Sequence, residues 1–144
     1  MQTSYLKKLT ALMAQLRDKK RGCSWDLAQS HQSLSGHMIE EAYEVAEAIK
    51  NGDRAEMREE LGDLLFQIIF HAQIAREDGH FDLEAIAEGS YNKMIARHPQ
   101  IFGNEADLGS RAEGLKKWES IKASERRMKR EKDGRTPPGL LEGI

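Results

Sequence analysis

The chain has 144 residues, 39% hydrophobic and 32% charged, so it is long enough to bury a core and is not disordered in composition. Its formal net charge of −2 argues against a general nucleic-acid binder, whose surface is normally basic. No apolar run approaches the roughly 20 residues that a membrane span needs, and the charged N-terminal stretch lacks the apolar core of a signal peptide. The single cysteine excludes an internal disulfide framework. We therefore expect one soluble cytoplasmic domain, with neither nucleic acid nor membrane as a partner.

Helical periodicity dominates the chain, and sustained β-branched alternation is absent. The first predicted helix covers about residues 3–19, where leucine and methionine form one stripe, and Gly22 ends it. The following segment, "CSWDLAQSHQS", is predicted to be a connecting loop. A second helix is expected from about residue 34 to residue 50, ending at Asn51-Gly52.

The next two predicted helices have clear start and stop signals. Asp53, with Glu56 three residues later, predicts a start resembling a capping box for a third helix that continues to about residue 77. The "DG" at 78–79 ends it. Asp82 is the expected cap of a fourth helix that reaches about residue 97, where the "HP" step closes it.

The last part of the chain is predicted to hold one more helix. After a loop at residues 99–109, "SRAE" at 110–113 is a second capping box, which opens a fifth helix to about residue 132. Residues 133–144 show no helical pattern and are predicted to be a linker or a disordered tail. The predicted fold class is all-α, a bundle of four to five helices over residues 1–132.

Two pairs of carboxylates stand out on the second and third predicted helices. Glu41 and Glu44, and likewise Glu60 and Asp63, are three residues apart, which places each pair about 60° apart on its helix. Because apolar residues flank both pairs, the four carboxylates are expected to converge between antiparallel helices, where uncompensated charge is costly. All-oxygen ligation then favours Mg²⁺, with Mn²⁺ as a substitute.

The other acidic residues of the two helices are predicted to be solvated, and these are Glu40, Glu47, Glu56 and Glu59. Residues 61–69 are apolar nearly all round the third helix, which is typical of a buried helix. A monomer of four or five helices cannot cover so much apolar surface, so we expect a homodimer.

Several motifs, in this order along the chain, closely resemble the MazG family of nucleoside triphosphate pyrophosphohydrolases. They are "CSWDLAQSHQSL", "EEAYEV", "EELGDLLFQIIFHAQIA" and "RHPQIF". The resemblance runs from about residue 5 to residue 132, and the family signature EExxE followed by ExxD is matched by Glu40, Glu41 and Glu44 and by Glu60 and Asp63. It implies an all-α bundle, usually an obligate dimer, that uses Mg²⁺ to cleave nucleoside triphosphates between the α and β phosphates.

This implied chemistry assigns roles to the acidic residues. Glu41, Glu44, Glu60 and Asp63 are the expected metal ligands, and the metal would clamp phosphate oxygens and lower the pKa of a bound water. Catalysis is assigned to Glu41 and Glu44, with Glu41 preferred as the general base because one carboxylate can serve as base instead of ligand.

Substrate binding is predicted for a further set of side chains, several with a structural alternative. Lys93 and Arg97, four residues apart on the fourth helix, would neutralise phosphates or be ordinary solvated cations. Trp118, one turn before Lys122, would stack on a base or pack the fifth helix on the bundle. A tryptophan in a loop is harder to explain by core packing alone, so the pair Trp25 and Asp26 would contact base or ribose or have a structural role. The full predicted set is Trp25, Asp26, Glu40, Lys93, Arg97, Trp118 and Lys122.

Two departures from the family pattern bear on this interpretation. Many members carry proline before the Trp-Asp pair, where this chain has Ser24, and many hold two such helical domains. The chain is therefore expected to be either a single-domain form or the N-terminal half of a longer protein. A non-catalytic dimerisation or regulatory domain with a relic metal–nucleotide site is the main alternative function. A di-metal redox bundle is weaker, because Gly79 breaks the helix between Glu77 and His80.

Overall fold

The computed structural model of the chain describes residues 4–103 and 111–133. Within these ranges the chain forms seven helices and no strand, which confirms the all-α fold class. The helices are α1 (Tyr5–Leu16), α2 (Ser24–Leu27), α3 (His31–Lys50), α4 (Arg54–Glu77), α5 (Leu83–Arg97), α6 (Pro99–Phe102) and α7 (Arg111–Asp133). The second predicted capping box begins at Ser110, and the predicted tail covers residues 133–144. Of these, Ser110 and residues 134–144 lie outside the described residues. None of the described helices is both long and apolar enough to cross a membrane.

Four predicted boundaries need correction, the first being the end of α1, which lies at Leu16 and not near residue 19. The predicted loop after α1 contains the single-turn helix α2, and α3 begins at His31, three residues before the predicted start. Ser30 and Ser33 explain the early start, since the side chain of each accepts a hydrogen bond from the backbone N–H of the other. The predicted loop after His98 likewise begins with α6, whose first residue is proline, a favoured residue at this position.

The turns that join the long helices match the sequence signals. Gly52 and Gly79 have φ angles of 69° and 74°, in the left-handed region that glycine adopts at little cost, and they follow α3 and α4. The Asp53 side chain accepts a hydrogen bond from the Glu56 N–H at 3.0 Å, so it caps α4 as predicted. Asp82 caps α5 in the same way through the N–H of Ala85. The short connection makes α3 and α4 antiparallel neighbours.

The chain divides into two compact units, Met1–Ile86 and Ala87–Ile144. In the first unit α4 is the central helix, because both α3 and α1 pack against it. Its core consists of Met13, Leu34, Ile69, Phe70 and Ile74. In the second unit Arg97 on α5 is hydrogen bonded to Glu125 on α7 at 2.6 and 3.0 Å.

Within the single chain, most of residues 61–69 are not buried, and their burial in a dimer stays a prediction. Leu61 and Leu65 are 45% and 38% exposed, whereas Ile69 and Phe70 are 1% exposed. Only the second half of α4 carries core residues, since α1 packs against that half through Met13 and its neighbours. The first half leaves an apolar surface uncovered within the chain.

Candidate functional site

The hairpin of α3 and α4 brings all four predicted carboxylates together. Oxygen atoms of Glu41, Glu60 and Asp63 lie within 4.8 Å of one another, and so do oxygen atoms of Glu44, Glu56 and Glu60. Glu60 belongs to both groups. Each group has the size of a cation site, and the two sites would share one bridging carboxylate.

Glu56 is the ligand candidate that the sequence interpretation missed. It was predicted to be solvated and to close a capping box, but its side chain is half-buried in the second group of carboxylates. The available signal was its spacing, because Glu56 and Glu60 are four residues apart and therefore lie on one face of α4. The predictions for Glu40, Glu47 and Glu59 hold, since all three are exposed.

The crowding of these carboxylates raises the pKa of Glu60. Partial burial, a hydrogen bond with Glu41 and repulsion from Glu41, Asp63 and Glu44 raise the pKa of Glu60 to about 7. Two carboxylates can share a hydrogen bond only when one of them holds a proton. Near neutral pH the metal-free site therefore holds a proton that a cation would displace.

A buried carboxylate oxygen without a hydrogen bond is a second indication that these carboxylates bind a cation. The Oε2 atom of Glu41 is buried and accepts no hydrogen bond from any described residue. Buried polar atoms are nearly always paired in folded proteins, because an unpaired one loses its hydration without compensation. A hard divalent cation satisfies such an oxygen and offsets the repulsion among its neighbours. The residues present therefore fit a divalent metal.

Three of the predicted substrate-binding residues lie in the same unit as the carboxylates. Glu40 is exposed on α3, next to Glu41. Asp26 is buried at 9% exposure, and Trp25 is 55% exposed on the single-turn helix α2. Trp25 has a ring neighbour, His37 of α3, which sequence reasoning did not select.

The other four predicted substrate-binding residues belong to the unit Ala87–Ile144. Lys93 is exposed on α5, whereas Arg97 is engaged by Glu125. The Trp118 ring packs against His98 at 5.3 Å between centroids, and the Lys122 ammonium lies 5.9 Å from the Trp118 ring centroid. These contacts favour the packing alternative for Trp118, and a role for the four in substrate binding stays a prediction.

Three histidines outside the carboxylate groups make structural contacts. The Nδ1 atoms of His31 and His71 are 2.7 Å apart and the rings are stacked, so one ring donates a hydrogen bond to the other. His98 Nδ1 is 2.7 Å from the carbonyl oxygen of Met94. Burial, together with the neighbouring His31, lowers the pKa of His71. The His31–His71 pair therefore links the start of α3 to the second half of α4.

The structure is all-α, and its two carboxylate groups form an all-oxygen cluster whose chemistry fits a hard divalent cation. Residues 29–102 match the family described as the MazG nucleotide pyrophosphohydrolase domain. The chain is 44% identical over 122 residues to the nucleoside triphosphate pyrophosphohydrolase/pyrophosphatase MazG of Thermotoga maritima. It is 42% identical over 122 residues to the nucleoside triphosphate pyrophosphohydrolase of Escherichia coli. Each alignment covers 85% of this chain and 46% of the relative.

The structural comparison agrees with the sequence matches. The crystal structure of a MazG-related protein from Thermotoga maritima aligns with a TM-score of 0.65 at 31% identity, over 81% of this chain and 98% of the other. The chain belongs to the MazG nucleotide pyrophosphohydrolase domain family. It spans about half the length of the curated relatives it matches.

Proposed function

We propose that this chain is a Mg²⁺-dependent nucleoside triphosphate pyrophosphohydrolase. Water would cleave the anhydride bond between the α and β phosphates, giving a nucleoside monophosphate and pyrophosphate. The observation that carries the proposal is the pair of carboxylate groups that share Glu60 and include the unpaired Glu41 Oε2. Membership of the MazG family, whose relatives are named for this activity, supports it.

The charge of the site explains why a cation is needed. A triphosphate and a cluster of carboxylates repel each other, so the substrate can bind here only through bridging metal. The residues that would hold Mg²⁺, with Mn²⁺ as a substitute, are Glu41, Glu44, Glu56, Glu60 and Asp63. Bound there, the ion supplies charge stabilisation for phosphate oxygens and a lowered pKa for a coordinated water.

Glu41 is the preferred general base, with Glu44 as the second candidate. Glu41 is half-buried and its Oε2 atom accepts no hydrogen bond from any described residue, whereas Glu44 is exposed. The surroundings of Glu60 raise its pKa to about 7. Glu60 is therefore the group that would release a proton when a metal ion binds. Glu41 would then accept the proton of the attacking water.

The remaining parts of the proposal concern binding and assembly. Lys93 and Arg97 would neutralise phosphates, and the proposed substrate-binding set is completed by Trp25, Asp26, Glu40, Trp118 and Lys122. The exposed apolar residues on the first half of α4 support a homodimer. The single cysteine, Cys23, is exposed and supports a reducing, cytoplasmic location.

A coupled assay tests the proposal. The chain is incubated with each common nucleoside triphosphate, Mg²⁺ and inorganic pyrophosphatase, and phosphate release is followed with and without EDTA. Glu60→Gln should lower the turnover number by about 100-fold or more, because both carboxylate groups lose a ligand. Glu59→Gln, an exposed neighbour, is the matched control and should retain wild-type turnover. A chain that binds nucleotide without turnover would instead be a regulatory domain.

A further inference from the structure

Trp25 is an exposed tryptophan on an unusually well-fixed turn. Its carbonyl oxygen accepts a hydrogen bond from the Gln29 side chain at 3.0 Å. The guanidinium of Arg17 donates through Nη1 to the carbonyl oxygens of Asp26 and Gln29, which anchors the turn to the end of α1. Yet the Trp25 side chain is 55% exposed and forms no part of the core. Packing does not explain why an indole is held there.

Arg17 is itself fixed by α4. Its Nε and Nη2 atoms donate to the two carboxylate oxygens of Glu77, both at 2.9 Å, and the Arg17 side chain is 9% exposed. Although partial burial favours protonation of Glu77, hydrogen bonds from Arg17 and Gln73 hold its pKa below the ordinary value. A forked pair of this kind restricts the guanidinium in both distance and direction. The turn that carries Trp25 is thus tied to the central helix.

The exposed indole of Trp25 contacts the imidazole ring of His37. The centroids of Trp25 and His37 are 6.2 Å apart and the ring planes are inclined at 77°, so the two rings form the walls of a corner. His37 is exposed, and it makes no hydrogen bond to any residue in the described ranges. Its ring nitrogens can therefore donate or accept a hydrogen bond to a flat ligand that stacks on the indole.

The corner lies beside the carboxylates. His37 and Glu41 are four residues apart on α3, so they share a face and are separated by about 6 Å along the helix axis. A nucleotide whose phosphates are held at Glu41 and Glu60 would have its base within reach of this corner.

We propose that Trp25 and His37 form the nucleobase-recognition corner of the site, and that Arg17 is the positioning residue that holds the corner open. This inference rests on the proposed function, since it assumes that phosphates bind at the carboxylates. The base stacks on Trp25, and His37 distinguishes bases through their edges. Because the turn is fixed before the nucleotide arrives, little conformational entropy is lost on stacking.

The test is calorimetric titration in Mg²⁺ with non-hydrolysable α,β-methylene analogues of the four common nucleotides and with inorganic tripolyphosphate. Tripolyphosphate lacks base and ribose, so it reports phosphate binding alone. Trp25→Leu should raise the Kd of the nucleotide analogues about tenfold and leave the Kd of tripolyphosphate unchanged. His37→Ala should change the order of preference among the bases.

Arg17→Lys keeps the positive charge but loses the paired hydrogen bonds to Glu77. It should therefore raise the ratio of the nucleotide Kd to the tripolyphosphate Kd, but by less than Trp25→Leu does. A general loss of fold would weaken both ligands and leave the ratio unchanged. In a Trp118→Phe background the fluorescence anisotropy of Trp25 should fall in Arg17→Lys, because the turn becomes mobile. Tyr5→Leu, which removes another exposed aromatic ring of the same unit, is the control and should match the wild type.

The inference would be overturned if Trp25→Leu and His37→Ala both kept the wild-type ratio of nucleotide affinity to tripolyphosphate affinity. It would also be overturned if the wild-type chain bound none of the nucleotide analogues. A drop in molecular mass in Trp25→Leu without a change in the ratio would assign the indole to an interface and also overturn it. Hydrolysis of cleavable nucleotides by the same samples is read separately. Binding at the corner without hydrolysis would contradict the proposed function and leave the inference standing.

Discussion

Glu60 is the residue on which the site depends, because it is the only acid common to the two carboxylate groups found in the described residues. It lies one turn beyond Glu56 and opposite Glu41, so it is the candidate to be shared between the two groups. The crowding that raises its pKa in the metal-free protein would also favour the binding of a cation. We therefore propose that destabilisation without metal and activity with metal have one physical cause.

This raised pKa predicts a pH dependence for the stability of the metal-free fold. The pKa of Glu60 is about 7 in the folded chain against an ordinary value of 4.5, so its contribution is fully present below about pH 4.5. The contribution is lost as the pH rises through about 7, where the ionised group is repelled by its neighbours.

Thermal unfolding in EDTA between about pH 4 and pH 8 measures this effect. The melting temperature of Glu60→Gln relative to the wild type should rise as the pH increases, and Mg²⁺ should stabilise the wild type increasingly over the same interval. Glu59→Gln should follow the wild-type curve. Parallel curves for wild type and Glu60→Gln across the whole range would refute the shared-proton description.

At the scale of the elements, the sequence predicted the five long helices and the four original ligand candidates because their signals are local. Caps such as Asp53, the glycines after α3 and α4, and the three-residue spacing of the acidic pairs need no tertiary information. The contact of His37 was missed because it is made with Trp25 on another element, whereas Glu56 was missed because it was interpreted as a solvated capping residue despite its spacing from Glu60. The start of α3 was missed because a Ser30–Ser33 capping box is a weaker pattern than one closed by glutamate.

The connection between α1 and α2 gives a prediction about stability. A Cβ atom on Gly22 would lie 2.4 Å from the carbonyl oxygens of both Leu16 and Asp18. These carbonyls accept hydrogen bonds from the N–H groups of Cys23 and Gly22 at 2.8 Å, so neither can move away without losing a bond. Gly22→Ala should therefore lower the free energy of unfolding by about 1–3 kcal/mol.

The control for this prediction is a helical glycine with free space around it. A Cβ atom on Gly89 of α5 would meet nothing within 4 Å, so Gly89→Ala should raise the stability by up to about 1 kcal/mol. Urea denaturation of both variants measures the two changes. Equal effects of the same sign would show that the close approach at Gly22 does not constrain the fold.

At the scale of the whole molecule, the uncovered half of α4 suggests assembly. Leu61 and Leu65 are four residues apart on α4, and Ile39 and Tyr43 have the same spacing on α3. Their exposures are 45%, 38%, 59% and 73%, so two helix faces next to the carboxylates are left apolar. Apolar surface of this kind is typical of a region that associates, which is why we propose a homodimer.

Light scattering at micromolar concentration tests the assembly. The wild type should have twice the 16.3 kDa mass of one chain. Leu65→Glu should shift the mass toward the monomer by placing a charge on the apolar face. Leu6→Glu is the matched control, since Leu6 is 47% exposed on α1 and borders a cavity at the other half of α4. A wild-type mass of one chain would contradict the homodimer.

The central claim is that the carboxylates of α3 and α4 use Mg²⁺ to direct water to the bond between the α and β phosphates. Phosphorus NMR of a nucleoside triphosphate incubated with the chain, without added pyrophosphatase, tests it most directly because it identifies the bond that breaks. Resonances of nucleoside monophosphate and pyrophosphate should grow together in Mg²⁺ and be absent in EDTA and with Glu60→Gln. Nucleoside diphosphate and orthophosphate as the products, or the same rate in EDTA, would contradict it.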